Sequence, residues 1–300
     1  MGGAVDAVGY MKESLVGAHI ARIKGIESGD LKVVGVNAYT QSEDSPLGAG
    51  NDAIQTVDAM VERQQVEALR QWRSRRDEGA AQSALGALRE AAASGANIMD
   101  PSILAAKSGV TTGEWGGVLR DVFGEFRGPT GVSVIIDSGG DEAIEATKKR
   151  VLEVSERLGR DLTYVLGKPG LDGHSNGAEQ IAARARACGM QVVYEGIRFT
   201  PSEIVSQAKA AKAHVIGLSI LSGSHLDLVR ETLAEMQKAG LDDTPLVVGG
   251  IIPFEDEQAL RQMGVRRVYT PKDFQITEIM DDVVDVVENR WLTAPASPLS

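Results

Sequence analysis

Tyr164-Val165-Leu166-Gly167-Lys168-Pro169-Gly170-Leu171-Asp172-Gly173-His174-Ser175-Asn176-Gly177 is the stretch on which the reading of the fold turns. It opens in an apolar run, 162–166, of the length and make-up of a buried strand. A loop with four glycines and one proline follows, and then an alanine-rich, helix-like run over 178–188. Glycines in such a loop let the backbone come close to a bound group, because no Cβ stands in the way. The loop carries Lys168, Asp172 and His174. An imidazole two residues after a carboxylate has two readings. The carboxylate can take one ring N–H and leave the other nitrogen for a metal. It can equally be ordinary loop polarity.

Working outward, two more short motifs sit at or next to the ends of apolar runs: Ser219-Ile220-Leu221 closes 214–221, and Gly249-Gly250 closes 245–249. Taken alone, Gly-Gly reads as a turn. From Asp161 onward the alternation is regular. Strands are expected at 162–166, 191–194, 215–219, 246–248 and 267–269, and helices at 178–188, 201–211, 226–239, 254–263 and 276–289. Gly189, Gly240 and Gly264 close helices, and Pro201 behind Thr200 opens one. Units of this length predict an α/β fold with a five-stranded parallel sheet covered on both faces. Its strand order is not fixed by the pattern.

Together the pieces resemble the Asp-x-His-x-x-Gly, Ser-x-Leu, Gly-Gly pattern of the cobalamin-binding domain in adenosylcobalamin-dependent mutases and methionine synthase. Here the pattern falls on Asp172, His174 and Gly177, on Ser219 and Leu221, and on Gly249 and Gly250. The resemblance implies a flavodoxin-like (Rossmann-like) strand order, 2-1-3-4-5. Ligands bind such sheets beyond the carboxyl ends of the strands at the switch point, where all three motifs then converge. It further implies adenosylcobalamin bound with its own benzimidazole displaced and His174 as the cobalt ligand. Asp172 would accept the other ring N–H, and Lys168 would stand behind it. The nucleotide tail would pass the small residues Gly217, Ser219, Leu221, Gly249 and Gly250, with Gly173 and Gly177 of the loop in the same cofactor site. His214 reads as structural, His225 as a helix opener beside the pocket, and Ser222-Gly223-Ser224 as a turn or cap.

The N-terminal half is mostly helical. Residues 4–28 read as one helix with Val5, Val8, Met11, Leu15, Ala18 and Ile23 on its apolar stripe, and 31–37 as a short strand. One helix and one strand cannot bury both faces of a sheet. This piece resembles the last turn of the eight-stranded acyl-CoA-binding barrel of the same mutases, so that barrel is largely absent and no catalytic residue is expected in this chain. His19 reads as an exposed or capped helix residue. Further helices are expected over 52–76, 79–93, 97–108 and 111–126. The last has a near capping box, Thr111-Thr112-Gly113-Glu114, and a core stripe of Trp115, Val118, Leu119, Val122 and Phe123. The basic run Arg70, Arg73, Arg75, Arg76 reads as a helix end that complements its dipole. The expected organisation is 1–50 as the terminal barrel piece, 51–130 as a helical linker region, 131–292 as the cobalamin domain and 293–300 as a tail, with a short strand at 132–136.

A formal charge of −11 and a pI near 5.0 argue against a nucleic-acid binder. The single cysteine, Cys188, excludes an internal disulfide and fits a reducing compartment. No apolar run approaches the roughly 18 residues of a membrane span, and Met1-Gly2-Gly3-Ala4-Val5-Asp6 lacks the features of a signal peptide. A cytoplasmic location is expected.

The resemblance implies a radical carbon-skeleton isomerase acting on an acyl-CoA, either ethylmalonyl-CoA to methylsuccinyl-CoA or methylmalonyl-CoA to succinyl-CoA. Leu218 to His225 and Thr270 to Phe274 look closer to the ethylmalonyl-CoA branch. The acyl-CoA is reached through the barrel, as a dimer or with a barrel-bearing chain, and the chain alone is expected to be inactive. A carrier or regulatory cobalamin module is the alternative, which the barrel-like residues 1–50 disfavour. A receiver domain would carry acidic residues where Lys168 and His174 stand.

Overall fold

The computed structural model describes residues 3–4, 6–41, 58–128, 130 and 142–293. The strand expected at 132–136, the start of the helix expected at 52–76, most of the loop after Thr40 and the tail beyond Thr293 lie outside these residues. By its contacts the chain divides into two units: Met1–Ser42 together with Arg127–Ser300, and Glu43–Phe126.

In chain order, α1 spans Val8–Glu27 and belongs to the first unit. The described residues of the second unit form α2 (Ala59–Arg75), α3 (Glu78–Ser94), α4 (Met99–Lys107) and α5 (Thr112–Phe123). The capping box expected at Thr111 and Glu114 forms at the start of α5. Leu85, Leu88 and Val118 make its small core, with Trp115 and Leu119 packed against them, whereas Phe123 is exposed. The basic end of α2 is pinned by an ion pair. Arg76 grips both oxygens of Glu114 at 2.6 and 2.8 Å, and its guanidinium holds that carboxyl down at about 2.

The first unit continues with α6 (Glu142–Leu158), β1 (Thr163–Gly167), α7 (Asn176–Ala187), β2 (Gln191–Val193), α8 (Pro201–Ala211), β3 (Val215–Ile220), α9 (His225–Ala239), β4 (Leu246–Gly250), α10 (Phe254–Gln262), β5 (Arg267–Tyr269) and α11 (Ile276–Glu288), then a π-helical turn, Asn289–Thr293. The five strands pair in parallel in the order β2-β1-β3-β4-β5. That is the order the family resemblance implies.

Side chains alternate across the sheet, as strands require. Tyr164, Leu166, Val215 and Val247 join the core of α6, α7 and α11, while Val165, Ile216, Leu218 and Val248 join that of α8, α9 and α10. The same alternation puts Gly217, Ser219 and Gly249 on the α7–α11 side. Small residues at the ends of the central strands therefore leave room on one face only.

Two expectations fail in the N-terminal segment. Residues 31–37 make a turn rather than a strand. Gly35 takes φ 78, the only pairing is an isolated bridge from Val34 to Ala38, and the Asn37 side chain ties the turn to Ile26 and Leu31. A strand needs a neighbour to satisfy its backbone, and no neighbouring strand stands beside this one among the described residues. In α1, Met11, Leu15 and Ala18 of the expected stripe are exposed, and the helix buries Val16 and Ile26 instead.

Candidate functional site

The loop after β1 is held at its start by the segment at Phe199. Gly170, at φ 80, donates its N–H to the Phe199 carbonyl, and the Phe199 N–H goes to the Lys168 carbonyl at 3.3 Å. Any side chain at Gly170 would meet both left-handed strain and the Leu228 methyls. Further on, Asp172 organises the loop around its carboxylate. Oδ1 accepts the His174 backbone N–H at 3.0 Å, a local turn that Asp forms readily. Oδ2 accepts from the Lys168 ammonium at 2.6 Å and from the Leu221 N–H at 3.3 Å. Lys168 is fully buried, and its ammonium also reaches the Ser219 carbonyl at 3.4 Å. Burial alone would raise the Asp172 carboxyl. The Lys168 ammonium and the two bonds from His174 outweigh it and hold the group well below the usual carboxylate range.

The His174 ring is 80% exposed, and its Nδ1 lies 2.6 Å from Asp172 Oδ1. A carboxylate oxygen can only accept, so in the neutral imidazole the proton sits on Nδ1 and Nε2 offers its lone pair outward. Lys168, Asp172 and His174 thus form one connected line from the sheet to the surface. Gly173 lies within it, and Ser175 and Asn176 lead from it into α7.

Beside this line is an apolar cleft of about 330 Å³ between the sheet and α7 and α11. Gly177, Ser219, Leu221, Gly249 and Gly250 line it, together with Tyr164 and Tyr269. Gly217 does not. Tyr164 fills the space above it, so that a Cβ there would strike the phenol oxygen. Gly250 is small for a different reason, since a Cβ would run into the Ile220 carbonyl. A tyrosine in a strand looks like core filling, so the sequence gives these two no role in the cleft. The glycine at 217 was the available signal, as a glycine inside a strand marks close approach. Burial raises the Tyr269 phenol, and its oxygen has no hydrogen-bond partner among the described residues.

His225 turns inward, with Nδ1 3.2 Å from Asp256 Oδ2, and does not line the cleft. His214 is structural: Nδ1 accepts from the Thr163 N–H at 2.9 Å, and its carbonyl accepts from the Trp291 indole. Cys188 is buried in the core. Among the described residues no cluster of three His, Cys, Asp or Glu could enclose a metal ion.

A family model described as methylmalonyl-CoA mutase matches residues 1–125, and one described as B12 binding domain matches 162–273, the segment that holds Lys168, Asp172, His174 and much of the cleft lining. Two segments of the chain are thus those of a methylmalonyl-CoA mutase-type protein, a stretch of the mutase domain and a B12 binding domain. Ethylmalonyl-CoA mutase of Cereibacter sphaeroides is 56% identical over 98% of this chain, and that of Methylorubrum extorquens is 56% identical over 96%. Human mitochondrial methylmalonyl-CoA mutase is 32% identical over 97%. The chain spans 45%, 42% and 39% of these mutases' own lengths. The residues present fit a B12 cofactor: an outward ring nitrogen with its tautomer held, an apolar cleft floored by glycines, and a buried phenol oxygen lacking a partner among the described residues.

Proposed function

We propose that this chain binds adenosylcobalamin with the benzimidazole displaced and His174 Nε2 as the lower cobalt ligand. The reading rests on one observation. Among the described residues, His174 is engaged through Nδ1 by a buried carboxylate that is itself held by a buried lysine, and its ring is otherwise 80% exposed beside an apolar cleft. Asp172 fixes the tautomer and strengthens the imidazole as a donor, and Lys168 keeps Asp172 ionised. Ser219, Leu221, Gly249 and Gly250 receive the nucleotide tail, with the Tyr269 hydroxyl as a hydrogen-bonding group, and Gly173 and Gly177 shape the loop around the ligand. When bound, the cofactor supplies a radical through homolysis of its cobalt–carbon bond. This chain's own part is to bind, orient and shield from water.

The reaction served is a carbon-skeleton rearrangement of an acyl-CoA. Ethylmalonyl-CoA is favoured over methylmalonyl-CoA by the higher identity to the ethylmalonyl-CoA mutases. Within this reading, residues 1–50 are the terminal piece of an acyl-CoA barrel, 51–130 a linker and 131–292 the cobalamin domain. The rest of the barrel comes from the same protein or another chain. The test is His174→Ala, followed by the visible spectrum of added adenosylcobinamide, which carries no base of its own. The wild-type chain should shift it to the nitrogen-ligated form and the variant should not. An unchanged shift in the variant would remove His174 as the ligand.

A further inference from the structure

Helix α7 carries two charged side chains where a helix covering a sheet would ordinarily meet water. Glu179 is 2% exposed and Arg184 4%. Buried charges of this kind need partners, and both find them on α1. The Lys12 ammonium donates to Glu179 Oε1 at 2.7 Å and to Ser175 Oγ at 3.0 Å. Glu27 Oε2 accepts from Arg184 at 3.2 Å, and its Oε1 accepts the Ile276 N–H at 2.9 Å. The latter bond caps α11, whose own N-cap residue, Gln275, makes no side-chain bond. Between these ends the Asn176 amide donates to His19 Nε2 at 3.2 Å. Ser175 and Asn176 directly follow His174. The same face of α1 continues into the cleft, where Ile23, Ile26 and, past the helix, Val36 line the space shared with Ser219, Gly249 and Gly250.

We propose that α1 is a working wall of the cofactor site: Lys12, His19 and Glu27 latch it to α7 and α11, Ile23 and Ile26 close the cleft that takes the nucleotide tail, and tail binding and α1 attachment are coupled. This rests on the cobalamin reading given above and adds a specificity element to it, since the wall acts on the tail and not on the corrin ring. The coupling is reciprocal. Whatever factor the attached helix adds to affinity, the bound tail adds to the attachment.

Two measurements on the whole chain test it. Ile23→Trp pushes bulk into the cleft from the α1 side. Hydroxocobalamin should bind at least about tenfold more weakly to this variant, and cobinamide, which lacks the tail, within about twofold of wild type. Equal affinities to wild type for both corrinoids, or equal losses for both, would overturn the proposal. Independently, hydroxocobalamin should slow amide exchange across residues 8–27 of the wild-type chain. Lys12→Met should speed that exchange in the free chain and weaken hydroxocobalamin binding by a similar factor. Binding that leaves exchange across 8–27 unchanged would also overturn it. A wild-type chain that binds neither corrinoid contradicts the cobalamin reading itself; binding without these α1 effects contradicts the wall alone.

Discussion

Lys168 shows how closely the site is drawn at the scale of single residues. A lysine with no exposed surface persists because its ammonium meets the Asp172 carboxylate and the Ser219 carbonyl. Lys168→Met leaves that carboxylate buried without its cation, so we expect a loss of about 3–5 kcal/mol in urea unfolding. His214 makes a prediction about pH. Burial, with Arg160 nearby, pushes its imidazole down to about 4 from an ordinary value near 6.5. The unfolded chain then binds a proton that the folded chain refuses. Stability from this group is complete above about pH 6.5 and is lost as pH falls toward 4, by roughly 3 kcal/mol in all. Asp172 acts in the same direction but only below about pH 4, because its folded value is depressed. Urea midpoints compared at pH 7 and pH 5 should therefore differ less in His214→Gln than in wild type. An identical pH slope in the two would contradict the assignment.

At the scale of elements, β3 and β4 set the cleft through their pairing, Ser219 beside Gly249 and Ile220 beside Gly250. Gly250→Ala places a methyl against the Ile220 carbonyl and should cost about 1–3 kcal/mol of stability, checked by thermal melting. The βα alternation was legible in the sequence because parallel strands buried on both faces read as apolar runs, and α7, α9 and α10 between them are closed by Gly189, Gly240 and Gly264. The motif residues were legible because they sit at those strand ends. α1 was misread for a physical reason. Its docking face, Lys12, Val16, His19, Ile23, Ile26 and Glu27, mixes charge with apolar groups, so the apolar spacing picked out Met11 and Leu15 on the exposed side. Glu179 and Arg184 have partners on α1 more than 150 residues away in the chain, which local spacing does not show. A Val-rich run at 31–37 looked like a strand because composition does not report the lack of a neighbour.

For the molecule as a whole, a formal charge of −11 fits no polyanion partner, and no described helix is long and apolar enough to cross a membrane. Tyr10, Met11 and Leu15 on α1 are exposed. With the chain spanning 45% of a relative named ethylmalonyl-CoA mutase, we expect the 300-residue chain by itself to bind the cofactor yet turn over neither ethylmalonyl-CoA nor methylmalonyl-CoA. Product detected by mass spectrometry would contradict the barrel's assignment to a segment outside this chain. The central claim is narrower: a protein nitrogen, and not the cofactor's own base, meets the cobalt. Electron paramagnetic resonance of cob(II)alamin bound to chain labelled only at histidine with nitrogen-15 tests it most directly. The account predicts that the axial nitrogen splitting changes from a triplet to a doublet on labelling and that His174→Ala abolishes the doublet. A triplet that survives labelling would contradict it.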